Sequence, residues 1–475
     1  MSRKNGRYRA VAADGSAVAW SDPKRYLWVL GLVVPTLPLV GVAGEYFTGA
    51  GLLLWLTPVV FLGVIPLLDL VSGSDNSNPP DEVIEILEKD RFYKVVVFAY
   101  LPLQYLGLGT AMWYLGTGDL AVWEKLGLAI SVGIVGGVAI NTAHELGHKK
   151  ESLERWVSKV ALAQTFYGHF YIEHNRGHHV RVATAEDPAS ARMGESLYSF
   201  LPRTVVGSVR SAWGLEKRRL ARRREHPWRI SNDVLNAWLM SVVLWGAMLA
   251  AFGPSILPWL LIQAVIGFTL LEIVNYMEHY GMLRQKVGVG SRERYERVLP
   301  QHSWNSNNVA TNVMLYHLQR HSDHHANPTR SFQALRDFRD APVLPTGYMG
   351  MIVVALVPPL FKRLMDRRVV DHYDGDLRLA NLAPRRSEKL LRRFPPPSHG
   401  LTQGADTAVQ ASAFADEVLA ARCPGCDYTY EVVSGNEAEG FPAGTAWAEI
   451  PDNWCCPDCG VREKVDFIAV TSAGV

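Results

Sequence analysis

The chain has 475 residues, room for two or three domains, and its net charge of +2 marks it for no charged partner; no nucleic-acid partner is expected. Hydrophobic residues make up 48%, gathered in long uncharged runs that read as membrane spans. All five cysteines follow residue 420, which excludes a disulfide framework for everything before them.

Residues 1–22 are polar and mixed and read as an N-terminal tail. The first apolar run comes after them without a small-residue cleavage pattern, so it is expected to be a retained span and not a signal peptide. Six runs reach spanning length, at about 26–44, 50–68, 95–115, 126–143, 234–252 and 256–276. Five contain no Asp, Glu, Lys or Arg, and the sixth contains Glu272. Tyr26, Trp28, Trp123 and Trp259 lie near their ends, as interface aromatics do. The turns near 45–49, 116–122 and 253–255 carry no Lys or Arg, whereas 144–232 carries 16 Lys+Arg against 9 Asp+Glu. The positive-inside rule therefore puts 144–232 in the cytoplasm, together with both termini and everything after 276. The expected fold is an all-α bundle of six transmembrane helices in three hairpins under a cytoplasmic helical cap. Asn78-Pro-Pro-Asp81 opens an amphipathic stretch with a proline-initiated, acidic first turn. The apolar stretch 348–361 is too short to span and reads as re-entrant or interfacial.

Nine of the 15 histidines fall in four short stretches. His144 and His148 close HELGH. His174, His178 and His179 lie in EHNRGHH, His279 in NYMEHYG, and His321, His324 and His325 in HSDHH. On a helix, i and i+4 share a face, so His144 with His148, and His174 with His178, each present a pair, with His179 beside them. His321, His324 and His325 offer i, i+3 and i+4. Nine imidazoles exceed what one metal takes, so two metals are expected, and an all-nitrogen, redox-coupled pair suits iron. HELGH also spells a zinc-protease motif, but that reading leaves the other clusters without a role. Glu145, Glu173, Glu278 and Asp323 are candidates to orient the rings. Glu272, Asn275 and His279 recur at i, i+3 and i+7, which places Glu272 and Asn275 toward the metals as well. Phe61 and Trp55 on the second run are candidate walls of a substrate channel. His169, His226, His302, His317, His372 and His399, taken singly, read as structural or exposed.

HELGHK at 144–149, EHNRGHH at 173–179, NYMEHYG at 275–281 and LQRHSDHH at 318–325 resemble the membrane-bound alkane 1-monooxygenases, within the wider histidine-rich diiron family of desaturases and hydroxylases. The likeness runs over about 25–380. It implies two non-haem irons held by the nine histidines. The implied reaction uses O2 to hydroxylate a terminal C–H bond of a medium- or long-chain n-alkane. The rivals are an acyl desaturase or hydroxylase on the same scaffold, and a non-catalytic membrane iron-binding protein.

A Ser/Gly/Thr-rich linker at 395–417 separates the hydroxylase region, 23–394, from a final domain at 418–475; as a flexible coil it reaches roughly 25 Å. Cys423-Pro-Gly-Cys426 and Cys456-Pro-Asp-Cys459 form two CxxC knuckles, an S4 site for iron or zinc. With Tyr428, Tyr430, Trp447, Trp454 and Phe467 they resemble rubredoxin, a small β-rich domain that holds one iron. Asp427 stands where that family has glycine, at a position expected to need positive φ. Cys455 lies outside the ligand pattern. The domain carries 9 Asp+Glu against 3 Lys+Arg over 421–475, which favours docking on a basic hydroxylase face. The resemblance further implies an NAD(P)H-dependent rubredoxin reductase as partner and a bacterial inner-membrane location, with the rubredoxin domain cytoplasmic.

Overall fold

The computed structural model describes residues 2–4, 6–149, 151–288, 293–397 and 418–470. Of the expected linker, 398–417 lies outside these residues, as does His399. Among the described residues, six helices are long and apolar enough to cross a membrane: Leu27–Thr48, Gly51–Ser72, Arg91–Thr117, Val122–Gly147, Asp233–Phe252 and Pro254–Glu278, here spans one to six. Asp90 caps span three by accepting from the Phe92 amide, and Asn232 caps span five through the Val234 amide. Span two is irregular, passing from a 3-10 turn through a short α segment into a π-turn at Val60–Val64 before regular helix resumes.

Span four is the central post, with 89% of its most apolar window buried. Glycines let span six approach it: a methyl at Gly133 would stand 2.8 Å from the Gln263 carbonyl, and one at Gly137 3.0 Å from that of Gly267.

The structure differs from the sequence expectation at two places. The segment expected as a polar tail contains an antiparallel sheet, β1 (Ser2–Lys4), β2 (Arg7–Val11) and β3 (Ala17–Ser21), in the order β1-β2-β3. Its buried face is Tyr8 and Ala10, two residues apart, as strand alternation requires. Tyr8 donates to Asp90 at 2.7 Å, and Arg25 pairs with the same carboxylate. Only Tyr8 and Ala10 alternate inward in β2, too short a pattern to read as a strand from the sequence.

The second difference lies within 144–232, expected as wholly aqueous. Helix α1 (Ser152–Ala163) runs back into the bundle, and its tip, Gln164, meets the middle of three spans. The Gln164 side chain donates to the Val132 carbonyl of span four at 3.0 Å and to Gln263 of span six at 3.1 Å, and accepts from Gln104 of span three at 2.9 Å. Trp245 of span five donates to its backbone carbonyl at 3.1 Å. Non-helical backbone survives at that depth because the Gln164 amide group and its backbone carbonyl all find partners in protein. A polar amphipathic helix that re-enters carries no hydropathy signal, so the sequence concealed it.

Helix α2 (Leu197–Arg222) lies beside span six. Helix α3 (His321–Ala326) carries the third histidine cluster. The stretch expected as re-entrant forms α4 (Tyr348–Ala355), whose Tyr348, Met349, Met351 and Ile352 are buried, and opens α5 (Pro358–His372). A short ribbon pairs β4 (Lys286–Val287) with β5 (Arg294–Tyr295). The final domain is an antiparallel sheet, β6 (Ala420–Arg422), β7 (Thr429–Glu431) and β8 (Ile468–Ala469), in the order β7-β6-β8, around Tyr430, Trp447, Trp454 and Phe467.

Candidate metal centre

All nine motif histidines meet at one end of the bundle, in two groups. His144, His148, His174, His179 and His324 form the first, and His178, His279, His321 and His325 the second; in each, one ligand atom per residue lies within 4.8 Å of all the others. The approaches between Nε2 atoms are short: His144 to His324 2.7 Å, His174 to His179 2.9 Å, His321 to His325 2.8 Å. A neutral imidazole has one N–H, so such rings cannot all satisfy one another. The Nε2 atoms of His148 and His178 are buried with no hydrogen-bond partner. Converging lone pairs and orphaned buried nitrogens fit a cation at each centre, and two all-imidazole groups fit two irons.

Electrostatics keep the rings in the ligating form. Burial, reinforced by neighbouring histidines, pushes His148, His174, His179, His321, His324 and His325 far below the ordinary imidazole range. It holds His279 down to about 3.

The partition differs from the simple helical expectation. His174 and His178 do not share a centre. His174–His178 is a π-turn, which places His174 and His179, five apart, in the first group and sends His178 to the second. In α3 the ordinary spacing holds: His321 and His325 share the second group while His324 faces the first.

The expected ring-orienting acids behave differently from one another. Glu145 pairs with Lys149 at 2.8 Å, and Asp323 with Arg330 at 2.9 Å and the Arg336 amide at 2.8 Å, so both tie down backbone near the clusters and neither holds a ring. Glu173 pairs with Arg181 at 2.9 Å; burial pushes its carboxyl up to about 8 against the pull of that arginine. Glu272 accepts from Tyr167 at 2.7 Å, Thr204 at 2.7 Å and Asn275 at 3.2 Å, and so joins the re-entrant tip, α2 and span six. Only Glu278 touches a motif histidine: its Oε2 is 3.2 Å from His321 Nε2, on the ligating side of the ring. The ring-orienting carboxylate is Asp187, which the sequence reading missed. It accepts from His178 Nδ1 at 2.9 Å and from Ser190 at 2.7 Å. Burial works against its charge, but His178 and Ser190 outweigh it and hold the carboxyl far below the usual range. Ser303 Oγ stands 3.5 Å from His279 Nδ1. Neither residue carries a spacing signal, since each arrives from a loop.

A narrow apolar cavity leads to the histidines. Phe61, Val138, Leu270, Leu315 and Ile352 line it, together with Asn275, His144, His174 and His321. Phe61 is therefore where a channel wall was expected. Trp55 is not: its indole donates to the Trp123 carbonyl at 3.2 Å and packs over Gly127, away from the cavity.

The four cysteines of the final domain, Cys423, Cys426, Cys456 and Cys459, form a third group, with Cys423–Cys459 3.7 Å and Cys426–Cys456 3.5 Å between sulfurs. Asp427 and Gly460 occupy equivalent places after the two knuckles with φ of 60° and 66°. Cys455 stays outside the set. The domain docks on the hydroxylase by charge. Glu439 takes Arg176 at 3.0 Å and Arg222 at 3.1 Å, and Asp466 takes Arg297 at 2.8 Å. Between these pairs Gly460 lies on the Asn175 carbonyl so closely that a methyl there would stand 2.0 Å from the oxygen. Asn175 is next to His174, within the π-turn.

Two buried imidazole groups, reached by a hydrocarbon-walled cavity and capped by a docked S4 domain, define a membrane-embedded, non-haem diiron oxidoreductase with its own electron carrier. The comparisons with known proteins narrow this. Residues 121–355 match the fatty acid desaturase family model, and 420–467 the rubredoxin model. The chain is 46% identical to an alkane 1-monooxygenase of Pseudomonas putida over 84% of this chain and 98% of that protein. It is 47% identical to one from Ectopseudomonas oleovorans over 81% and 95%. The xylene/toluene monooxygenase hydroxylase component of Pseudomonas putida is more distant, 25% identical over 72% and 89%. The chain belongs to the alkane 1-monooxygenase family.

Proposed function

We propose that the protein hydroxylates the terminal carbon of medium- or long-chain n-alkanes: R–CH3 + O2 + two electrons + two protons give R–CH2OH and water. The cavity carries this reading, because its walls are hydrocarbon side chains and its floor includes histidines of both groups. The first histidine group would hold one iron and the second the other, with Glu278 an oxygen donor beside the four-histidine group, and Cys423, Cys426, Cys456 and Cys459 the rubredoxin iron. The two irons supply the activation of dioxygen when bound. The chain's own residues do the rest. Phe61 limits how far the alkane extends, the apolar walls keep water from the reacting carbon, and Asp187 fixes the orientation of His178.

Residues 23–394 form the hydroxylase, 395–417 the linker and 418–475 the electron carrier. Electrons come from a flavoprotein rubredoxin reductase using NAD(P)H. The protein sits in a bacterial inner membrane with its metal end and both termini cytoplasmic; six spans and the basic 144–232 segment support that orientation.

The test is turnover of purified protein in lipid with reductase, NAD(P)H, O2 and an n-alkane, together with iron analysis. A 1-alkanol is expected. Desaturated or hydroxylated acyl product with no alkanol would favour the acyl-chain rival, and bound iron with no oxygen consumption dependent on reductant and alkane would favour a non-catalytic iron protein.

A further inference from the structure

Helices α4 and α5 meet in an elbow whose depth is fixed by its contacts. Phe361, early in α5, packs on Tyr276 and Tyr280 at the metal end of span six, with ring centroids 4.7 and 5.0 Å apart. The end of a span lies at the level of the lipid headgroups. Leu356, Val357 and Leu360 of the elbow are 40–49% exposed, and the exposed Tyr198 of α2 donates to the Leu356 carbonyl at 2.8 Å. Apolar side chains beside a tyrosine suit the boundary between acyl chains and headgroups.

Directly after the elbow the surface turns basic. Helix α5 and the segment 384–393, which ends in α6 (Ser387–Arg393), carry nine Lys and Arg against three Asp and Glu. Two of these cations converge on Gly194. Lys362 donates to its carbonyl at 2.7 Å, and the Arg386 side chain passes so close that a methyl on Gly194 would stand 3.4 Å from its Cδ. The acids beside them are already engaged. Asp366 accepts from Tyr280 at 2.9 Å and has Arg393 3.8 Å away, and Glu195 takes Arg203 through both oxygens at 2.9 Å. Burial and the nearby Arg386 push the Lys362 ammonium below its ordinary range, against the pull of Asp366 and Glu195. Among the described residues, positive charge is thus in surplus where this surface meets the membrane.

We propose that the elbow holds an anionic phospholipid of the leaflet at the metal end, its phosphate on Lys362 and Arg386 and its acyl chains along Leu356, Val357 and Leu360. Both parts of the lipid are needed. A free anion would meet the charge and leave the apolar side chains uncovered, and a neutral lipid would cover them and leave the charge unanswered. The site stands behind the metal centre. Tyr280, next to His279, donates to Asp366 and accepts from the Gly194 amide at 2.8 Å, while Lys362 holds the Gly194 carbonyl. A phosphate there offsets the surplus charge and pins the elbow against the end of span six.

The experiment places the full-length, metal-loaded protein in lipid nanodiscs and reads its thermal midpoint in phosphatidylcholine alone and with phosphatidylglycerol added. The anionic lipid is expected to raise the midpoint by several degrees, and Lys362→Gln with Arg386→Gln to cut that rise by half or more. Each variant is its own reference in phosphatidylcholine, so a loss of basal stability cancels. Arg386→Gln alone keeps the Lys362 bond to Gly194. It is expected to lose part of the rise and most of the phosphatidylglycerol that stays bound to the native protein in native mass spectrometry. Lys89→Gln with Lys286→Gln removes two exposed lysines away from the elbow and is expected to keep the whole rise. No preference for phosphatidylglycerol in the native protein, an undiminished rise in the elbow variants, or an equal loss in the lysine control would overturn the proposal. So would the same rise produced by inorganic phosphate in phosphatidylcholine, because the ligand would then be a free anion and not a lipid.

Discussion

Asp187→Asn tests how the second histidine group is built. Asp187 is 1% exposed and takes His178 Nδ1 at 2.9 Å, Ser190 Oγ at 2.7 Å and the Ala189 amide at 3.1 Å. Asparagine has the same shape and can keep an oxygen toward His178, so the fold survives; the change removes the negative charge behind the ring. Carboxylates behind metal-bound imidazoles are worth about 10–100-fold in metal affinity, which is about 1.4–2.7 kcal/mol. His178 belongs to the four-histidine group, so iron should leave that group first. Chelator competition followed by iron counting is expected to give a faster-released iron in the variant, with the other retained and alkane hydroxylation reduced in proportion. Two irons released at the native rate with native turnover would refute the assignment of Asp187 to His178.

Glu439→Gln removes the carboxylate shared by Arg176 and Arg222. The arginines are about one-third exposed, so each pair is worth no more than about 1 kcal/mol. NAD(P)H-driven turnover is expected to fall and to lose much of its sensitivity to added salt, measured as rate against ionic strength. Burial works against the Glu439 charge, but the arginines outweigh it and hold the carboxyl below its ordinary range in the docked state. A depressed docked value means the contact is fully present near neutrality and is lost only as pH falls through that value. The docked fraction of the protein with Glu439 intact, read by energy transfer between labels placed away from that contact, should therefore stay flat around neutrality and drop on acidification, and a decline on the alkaline side would contradict it. Phe61→Ala is expected to extend the range of accepted chain lengths and Trp55→Ala to leave it unchanged; product profiles over an alkane series read both. Gln164→Leu orphans Gln263 Oε1 and takes one acceptor from Gln104, at a cost of about 1–3 kcal/mol per orphaned group. Its thermal midpoint should fall, and an unaltered midpoint would mean the re-entrant tip is not held as described.

The features legible in the sequence are those written in composition. Six apolar runs, five of them uncharged, marked the spans, and four histidine stretches and two CxxC knuckles marked the metal groups, because ligands and lipid each demand particular residue types. What stayed hidden depends on how separate pieces meet. The π-turn at His174–His178 has the same letters as an α-helix, so the division of His174, His178 and His179 between two groups could not be read. Asp187 and Ser303 reach their rings from loops with no periodicity. The α1 helix is amphipathic enough to pass for a surface helix, and only its tip, Gln164, touching spans three, four, five and six, reveals its depth. Trp55 and Phe61 looked alike as bulky span residues, but a change of helix type between them sets their side chains in different layers.

Each of the two three-histidine clusters divides its ligands between the metal groups. The second cluster gives His174 and His179 to one and His178 to the other; the third gives His324 to the first and His321 with His325 to the second. The two centres thus have common mounts. A slide of either mount carries ligands of both centres together, whereas His144 and His148 of span four serve only the first group and His279, after span six, only the second. Breathing of the bundle as an alkane enters or an alcohol leaves is then in part a common-mode displacement at these two clusters, which limits its effect on the spacing a two-metal reaction depends on.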